Sequence, residues 1–387
     1  MKKLLIVLLM VAMLSGCGDS NSGTVAKDGY KLGIQFELTG EVADYGNAEL
    51  EGAKLAVKLA NEKLGEEKYV PVIYDNTSST TEAVTLATKL VQDGVVGVVG
   101  PATSGASAAT YQISNDSGVV VVSPSATANN VTLTNPDDPS SPAYEYVFRT
   151  CFEDSYQGAA MAQYAYDVLG ARRVVVYGDS ITDYAKGLAN SFTKQFEKLG
   201  GSVIANEYYV AKDTDFSPVL TRISDLNLDA IYIPGYYQEV GLIIKQAREM
   251  GFDCPIIGGD GFDSETLVDL GGAKNLNDVF FTTAYTTVGA SEKLLAFIDA
   301  YTKEYGKEPS MFAALAFDAT NLLIQACEEA GTNDSAAVRD VMEAIHFKGI
   351  TGSFSFDKTH TPIKSVLVVE LVNGVQESVI EVSPDVD

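Results

Sequence analysis

Positive charge is scarce in this 387-residue chain: 27 lysines and arginines stand against 52 aspartates and glutamates, a formal net charge of −25 at pH 7. That balance excludes a nucleic-acid partner, since gripping phosphates requires clustered basic side chains. The two histidines, His346 and His360, lie apart on an expected helix end and a loop, and read as solvated rather than catalytic. Beyond Cys17 the chain has Cys151, Cys254 and Cys327, an odd number at scattered spacing. No disulfide framework or metal site follows from them, and they read as small buried hydrophobes. Also missing are the G-x-S-x-G elbow, the G-x-x-x-x-G-K-[ST] phosphate loop and H-E-x-x-H. Gly97-Val98-Val99-Gly100 falls short of a dinucleotide fingerprint and sits inside a strand pattern. Catalysis therefore has little support, and no cofactor or metal is implied. The apolar run at residues 4–14 is too short to span a bilayer.

That run has another use. Lys2-Lys3, the apolar stretch and the small residues before Cys17 make an export signal over residues 1–16. Leu14-Ser15-Gly16-Cys17 resembles the lipobox of bacterial lipoproteins, which implies cleavage before Cys17, acylation of that cysteine and attachment to the outer face of a membrane. Residues 17–28 read as the lipidated cysteine and a flexible tether. Loss of residues 1–16 removes two lysines and no acid, leaving 25 basic residues against 52 acidic ones, a balance of −27. So acidic a body does not adhere to anionic lipid, and the acyl group is the only membrane contact expected.

What remains is too long for one core, so two lobes are expected. Strand and helix patterns alternate from residue 31 onward, the signature of α/β layers. The organising stretch is residues 95–128. Two valine runs without alternation, residues 95–99 and 119–122, read as strands buried on both faces of a parallel sheet. Thr103, Ser104 and Gly105 fall where a helix begins, so their backbone N–H groups are expected to face an anion. Ser125 and Thr127 end the neighbouring strand, on the side where open α/β sheets bind ligands. Together these loops suit a small carboxylate. Strand 255–257 ends in Gly258-Gly259-Asp260-Gly261, which offers an acceptor to an ammonium. Plain readings stand beside these: Ser104 as a helix cap, Ser125 and Thr127 as turn residues, Asp260 as a turn aspartate between glycines, Tyr184 and Tyr236 as core or rim aromatics. Helices are expected at 48–64, 80–92, 291–305 and 312–330, and a closing hairpin between 351–357 and 365–371.

The resemblance to a known family rests on Gly33-Ile34, Thr39-Gly40, Tyr45-Gly46, Gly100 with Ser104, and residues 123–128. It continues through Arg149-Thr150, Gln157-Gly158, Tyr184 with Gly187, Gly235-Tyr236, Gln246-Ala247-Arg248, Gly259-Asp260-Gly261 and residues 352–357. In order and spacing these resemble the periplasmic Leu/Ile/Val-binding proteins, the solute-binding components of ABC importers for branched-chain amino acids. The resemblance implies an α/β, type I periplasmic-binding-protein fold, with two Rossmann-like lobes joined by three crossovers around a central ligand cleft. Lobe 1 would comprise residues 29–148 plus 285–352, and lobe 2 residues 149–284 plus 353–387. It also implies that Ser104, Ser125 and Thr127, beside Thr103, receive the ligand carboxylate and that Asp260 takes the ammonium. Tyr184 and Tyr236 would close from lobe 2, while Tyr45 and Phe312 wall the side-chain pocket. Partners would be an aliphatic amino acid and an ABC permease with its ATPase, the protein itself being a monomer. The family's first-lobe cysteine pair has no counterpart at residues 75–78 or 103–104, which bears on side-chain preference. A lipid-anchored sensor and an exported amidase-type enzyme are the alternative readings.

Overall fold

A computed structural model describes residues 29–384; the export signal, Cys17 and the tether lie outside the described residues. In chain order the elements begin β1 (Tyr30–Phe36), α1 (Ala43–Leu64), β2 (Tyr69–Asp75), α2 (Thr80–Asp93), β3 (Gly97–Val99), α3 (Ser104–Asp116), β4 (Val120–Ser123) and β5 (Val147–Arg149). These strands form one parallel sheet in the order β2-β1-β3-β4-β5. Then come α4 (Asp154–Asp167), β6 (Arg173–Asp179), α5 (Asp183–Lys198), β7 (Ser202–Tyr209), α6 (Ser217–Ser224), β8 (Ala230–Ile233), α7 (Tyr237–Glu249), β9 (Ile256–Gly258), α8 (Glu265–Gly271) and β10 (Val279–Thr283). The chain closes with α9 (Glu292–Tyr305), α10 (Met311–Ala330), α11 (Ser335–Ala344), the short β11 (Phe347–Lys348) and β12 (Ser353–Phe354), then β13 (Val366–Val372) and β14 (Val375–Val382). The second sheet runs β14-β13-β10-β9-β8-β6-β7, parallel except for its last two strands.

The central strands are buried throughout, as the unalternated valine and isoleucine runs require. Helix ends follow local chemistry: Ser79, Thr182 and Ser291 accept hydrogen bonds from the first turns of α2, α5 and α9. Although late in sequence, α10 packs on β3, β4 and α1, with α9 against α1 and α11 against β4 and α10. The fit of α1 to α10 depends on Gly52, where an added Cβ would stand 2.0 Å from the Ala313 carbonyl oxygen. The chain thus passes between lobes after β5, after β10 and before β13. Fully buried Arg149 braces two of these passages: it donates to Thr361 Oγ1 at 2.9 Å and to Ala128 O at 2.8 Å, and pairs with Glu153.

Two expectations need correction. The closing hairpin is β13–β14, not 351–357 with 365–371, because the turn is Asn373-Gly374, where both residues take positive φ. Helix α1 starts at Ala43 rather than residue 48, so Tyr45 stands on its first turn. Among the described residues no helix is long and apolar enough to cross a membrane.

Candidate ligand site between the lobes

Strand β1 ends beside β3, and this adjacency builds the first wall. Glu37, one residue past β1 and almost fully buried, accepts hydrogen bonds from Ala102 N at 3.1 Å, Thr103 N at 3.2 Å and Thr103 Oγ1 at 2.7 Å. The protein therefore supplies its own anion to the loop before α3, and the expectation that the Thr103 N–H awaits a ligand is corrected. Gly46 permits the arrangement, since a Cβ there would lie 2.2 Å from the Glu37 carbonyl oxygen. Thr103, not Ser104, caps α3, accepting from Ala106 N.

Ser104 ties the two hydroxyl loops together instead. Its Oγ accepts from Ala128 N at 3.0 Å and keeps its own proton available to donate. Ser125 Oγ lies 2.9 Å from Ala102 O and also contacts the Glu49 carboxyl. One serine proton cannot serve both oxygens. Glu49 is wholly buried and its carboxyl is pushed well above the ordinary range, by desolvation first and by the charge of Glu37 to a lesser degree. It holds its own proton and donates it to Ser125, which is then free to donate to Ala102 O. Thr127 Oγ1 is buried beside the Asp154 carboxyl without a hydrogen bond of good geometry.

The second wall grows from the end of β9. Asp260, 3% exposed, accepts from Tyr184 OH at 2.7 Å and from Gln157 Nε2 at 3.1 Å. Burial pushes its carboxyl up to about 6, and those hydrogen bonds limit the rise. Gln157 also bonds Asp154 at 2.7 Å and accepts from Thr282 Oγ1 at 2.6 Å, which fixes its amide orientation. The Asp154 carboxyl is likewise pushed well above its ordinary range, by desolvation first and then by the charge of Asp260.

Aromatic rings close the space. Tyr184 stacks on Tyr236 at 5.0 Å between centroids, and Tyr45 stacks on Phe312 at 4.2 Å. Tyr45 also reaches across the cleft, donating from its hydroxyl to Gly261 O at 2.5 Å and accepting from Tyr237 N at 3.3 Å. Tyr237 in turn donates to Glu41 O at 3.0 Å. The gap they enclose is lined by Tyr45, Ala102, Thr103, Ser125 and Phe312 from lobe 1 and by Tyr184, Tyr236, Asp260 and Gly261 from lobe 2. Seven of the nine residues singled out from the sequence meet there. Ser104 and Thr127 stand a layer behind. The gap measures about 20 Å³, on the scale of one or two waters and far below an amino acid. The lobes must part to admit a ligand of that size.

Sequence reasoning missed Glu37 and Glu49 as parts of the wall, and Asp154 in the carboxylate cluster. Their only advance signal is an acidic residue inside or directly after a buried apolar pattern. Among the described residues no cluster could hold a metal ion.

Residues 29–376 match the family of periplasmic binding proteins. The leucine-, isoleucine-, valine-, threonine- and alanine-binding protein of Pseudomonas aeruginosa is 29% identical over 340 residues, covering 87% of this chain and 88% of that one. Among solved structures, LivJ of Streptococcus pneumoniae, the substrate-binding protein of a branched-chain amino acid transporter in complex with isoleucine, is 40% identical. It superposes with a TM-score of 0.85 over 92% of this chain and all of that one. The leucine-binding protein LivK of Thermotoga maritima is 36% identical, with a TM-score of 0.82 over 91% of this chain and 98% of its own. With two sheets facing each other across an aromatic-walled gap, and with such relatives over nearly its whole described length, the chain belongs to the periplasmic binding proteins, a solute-binding family, alongside the Leu/Ile/Val-binding group.

Proposed function

We propose that the protein captures a small aliphatic amino acid between its lobes and delivers it to an ABC importer. The observation that carries this reading is chemical polarity across one gap. Lobe 2 offers the Asp260 carboxylate, with no basic side chain lining the gap, and a layer behind the lobe 1 wall Ser104 and Thr127 hold hydroxyl protons that no acceptor takes up. Ser104 and Thr127 donate to the ligand carboxylate once the lobes have opened and reclosed, with Thr103 and Ser125 lining the same end. Asp260 receives the ammonium, Tyr184 and Tyr236 close over it, and Tyr45 and Phe312 wall the side chain. The protonated state of Glu49 supports this, since an ionised acid there would repel the ligand carboxylate. Isoleucine in the pneumococcal relative supports the ligand class.

Contacts from both lobes exist together only in the closed form, so ligand shifts the population toward closure. We divide the moving bodies as residues 29–148 plus 285–352 and residues 149–284 plus 353–387. Sheet membership supports that division except at Arg149, which ends a strand of the first sheet, and at Ser353–Phe354, which pairs with β11. Acylation at Cys17 holds the protein on the outer face of a membrane, beside a permease and ATPase that read the closed shape. Calorimetric titration with leucine, isoleucine and valine tests the reading: one site per chain is expected, and no heat with any amino acid would refute it. Acyl attachment is tested separately by mass spectrometry of the mature N-terminal peptide, with an unmodified Cys17 as the refuting result.

A further inference from the structure

Residues 38–44 lead from the end of β1 into the first turn of α1, and they are bonded to both lobes. On the lobe 1 side the fastening is dense. Asp75 Oδ1 accepts from Leu38 N at 2.9 Å and from Thr39 N at 3.2 Å, while its Oδ2 accepts from Thr39 Oγ1 at 2.7 Å. Ser78 Oγ donates to Thr39 O at 2.8 Å and accepts from Val42 N at 3.3 Å. Gly40 permits this close approach: its φ is 92°, and a Cβ there would stand 2.7 Å from the Thr77 carbonyl oxygen. So many bonds over one short stretch make it an arm fixed to lobe 1 rather than a loose connection.

The far end of the arm crosses the cleft. Tyr237 OH and Gln238 Nε2, at the start of α7, both donate to Glu41 O, the first at 3.0 Å. Tyr237 OH also accepts from Asp44 N at 3.4 Å. The Glu41 carboxylate meets Lys212 Nζ at 2.5 Å. Asp44 reaches α8, where its Oδ2 accepts from Ser264 Oγ and from Thr266 N at 3.4 Å. Ser264 is the cap of that helix, so lobe 1 lends a carboxylate to the open donors of a lobe 2 helix. The contacts are unequal. Lys212 and Glu41 are 75% and 43% exposed in their side chains, and an exposed ion pair contributes little. Asp44 is half-buried, and hydrogen bonds to a carboxylate are among the stronger ones. None of residues 38–44 lines the amino-acid gap.

We propose that residues 38–44 are a closure arm whose Asp44 latches the two lobes together and sets how long the ligand stays bound, without helping to choose it. The bonds from Glu41 and Asp44 join one lobe to the other, so they exist only in the closed form. Differential contact of that kind is what biases a two-state equilibrium. The arm acts by slowing the opening that must precede release, and affinity differences among variants of one complex lie mostly in the dissociation rate. The inference rests on the reading of the narrow gap as an amino-acid site, and it adds to that reading a determinant of affinity that the ligand never touches.

The test is stopped-flow measurement of leucine association and dissociation on the whole protein, read by tyrosine fluorescence. Asp44→Ala should speed dissociation tenfold or more, leave association no slower, and keep the wild-type ratio of affinities for leucine, isoleucine and valine. Asp44→Asn retains an oxygen acceptor and should recover part of the lost residence time. Asp75→Asn, at the lobe 1 root of the arm, should speed dissociation severalfold, and Lys212→Met less than twofold. Dissociation within twofold of wild type in Asp44→Ala overturns the proposal. So does a changed order of preference among the three amino acids, since Asp44 would then be shaping the pocket. Should leucine fail to bind the wild-type protein, the transport reading falls and the arm is decided separately. Double electron–electron resonance between spin labels on the two lobes of the amino-acid-free protein should then show the closed distance depopulated in Asp44→Ala, and an unchanged distance distribution would overturn the arm as well.

Discussion

The two walls of the narrow gap solve the same problem in opposite ways. Lobe 1 brings Glu37 and Glu49 close to the gap but silences them, the first with three donors from residues 102–103 and the second with a proton of its own. Lobe 2 brings Asp260 and leaves it poised, raised only to about 6 by burial because Tyr184 and Gln157 hold its charge. A buried carboxylate is thus scaffold on one side, either saturated with donors or carrying its own proton, and a working charge on the other. The number and placement of its donors decide which.

That contrast can be broken most severely at Asp260. Asp260→Ala should cost amino-acid affinity about 2–5 kcal/mol, because the ligand ammonium would be left without its partner in a dry site; calorimetry reads the loss, and undiminished affinity would remove Asp260 from the site. pH sharpens the same point. The ammonium requires ionised Asp260, so affinity should be flat above pH 6 and fall about tenfold per pH unit below it. Stability moves the other way: a carboxyl raised above its unfolded value favours folding when protonated, and that contribution is lost as pH rises through about 6. Asp260→Asn should therefore raise the thermal midpoint of the ligand-free protein at pH 7 even as it destroys binding, which scanning calorimetry would detect.

On the hydroxyl side the expected effects are smaller. Ser104→Ala and Thr127→Val should each cost about 1.5–3 kcal/mol, the worth of a hydrogen bond to a charged group, read as a drop in leucine affinity. The least effect is expected from Glu49→Gln, which replaces a protonated acid with a neutral amide: about 1 kcal/mol or less in affinity, with no new pH dependence. A large loss there would mean that Glu49 is ionised and that the comparison between walls is wrong.

Much of this was legible in sequence. The unbroken valine runs ending in Gly100 and Ser123 located the central strands, and the polar tips beyond them located Thr103, Ser125 and Asp260. Strand-end chemistry is local, so it survives in the order of residues. The Glu37 cap on the loop before α3 was not legible, because it depends on β1 lying next to β3 and on Gly46 letting α1 approach the chain at Glu37. Sequence shows Arg149 only as part of the Arg149-Thr150 pattern; its bond to Thr361 spans 212 residues, beyond the reach of periodicity. The pairing of β13 with β14 carries a strong local signal in the Asn373-Gly374 turn, which the expected hairpin between 351–357 and 365–371 leaves unused.

The most direct test of the two-ended gap is competition calorimetry with leucine, its decarboxylated analogue 3-methylbutylamine and its deaminated analogue 4-methylpentanoate. The account predicts that leucine binds one to one and that each analogue competes for that site at least about 30-fold more weakly, the equivalent of 2 kcal/mol. If either analogue competed as well as leucine, the corresponding end of the gap would not be recognising charge, and the reading would be contradicted.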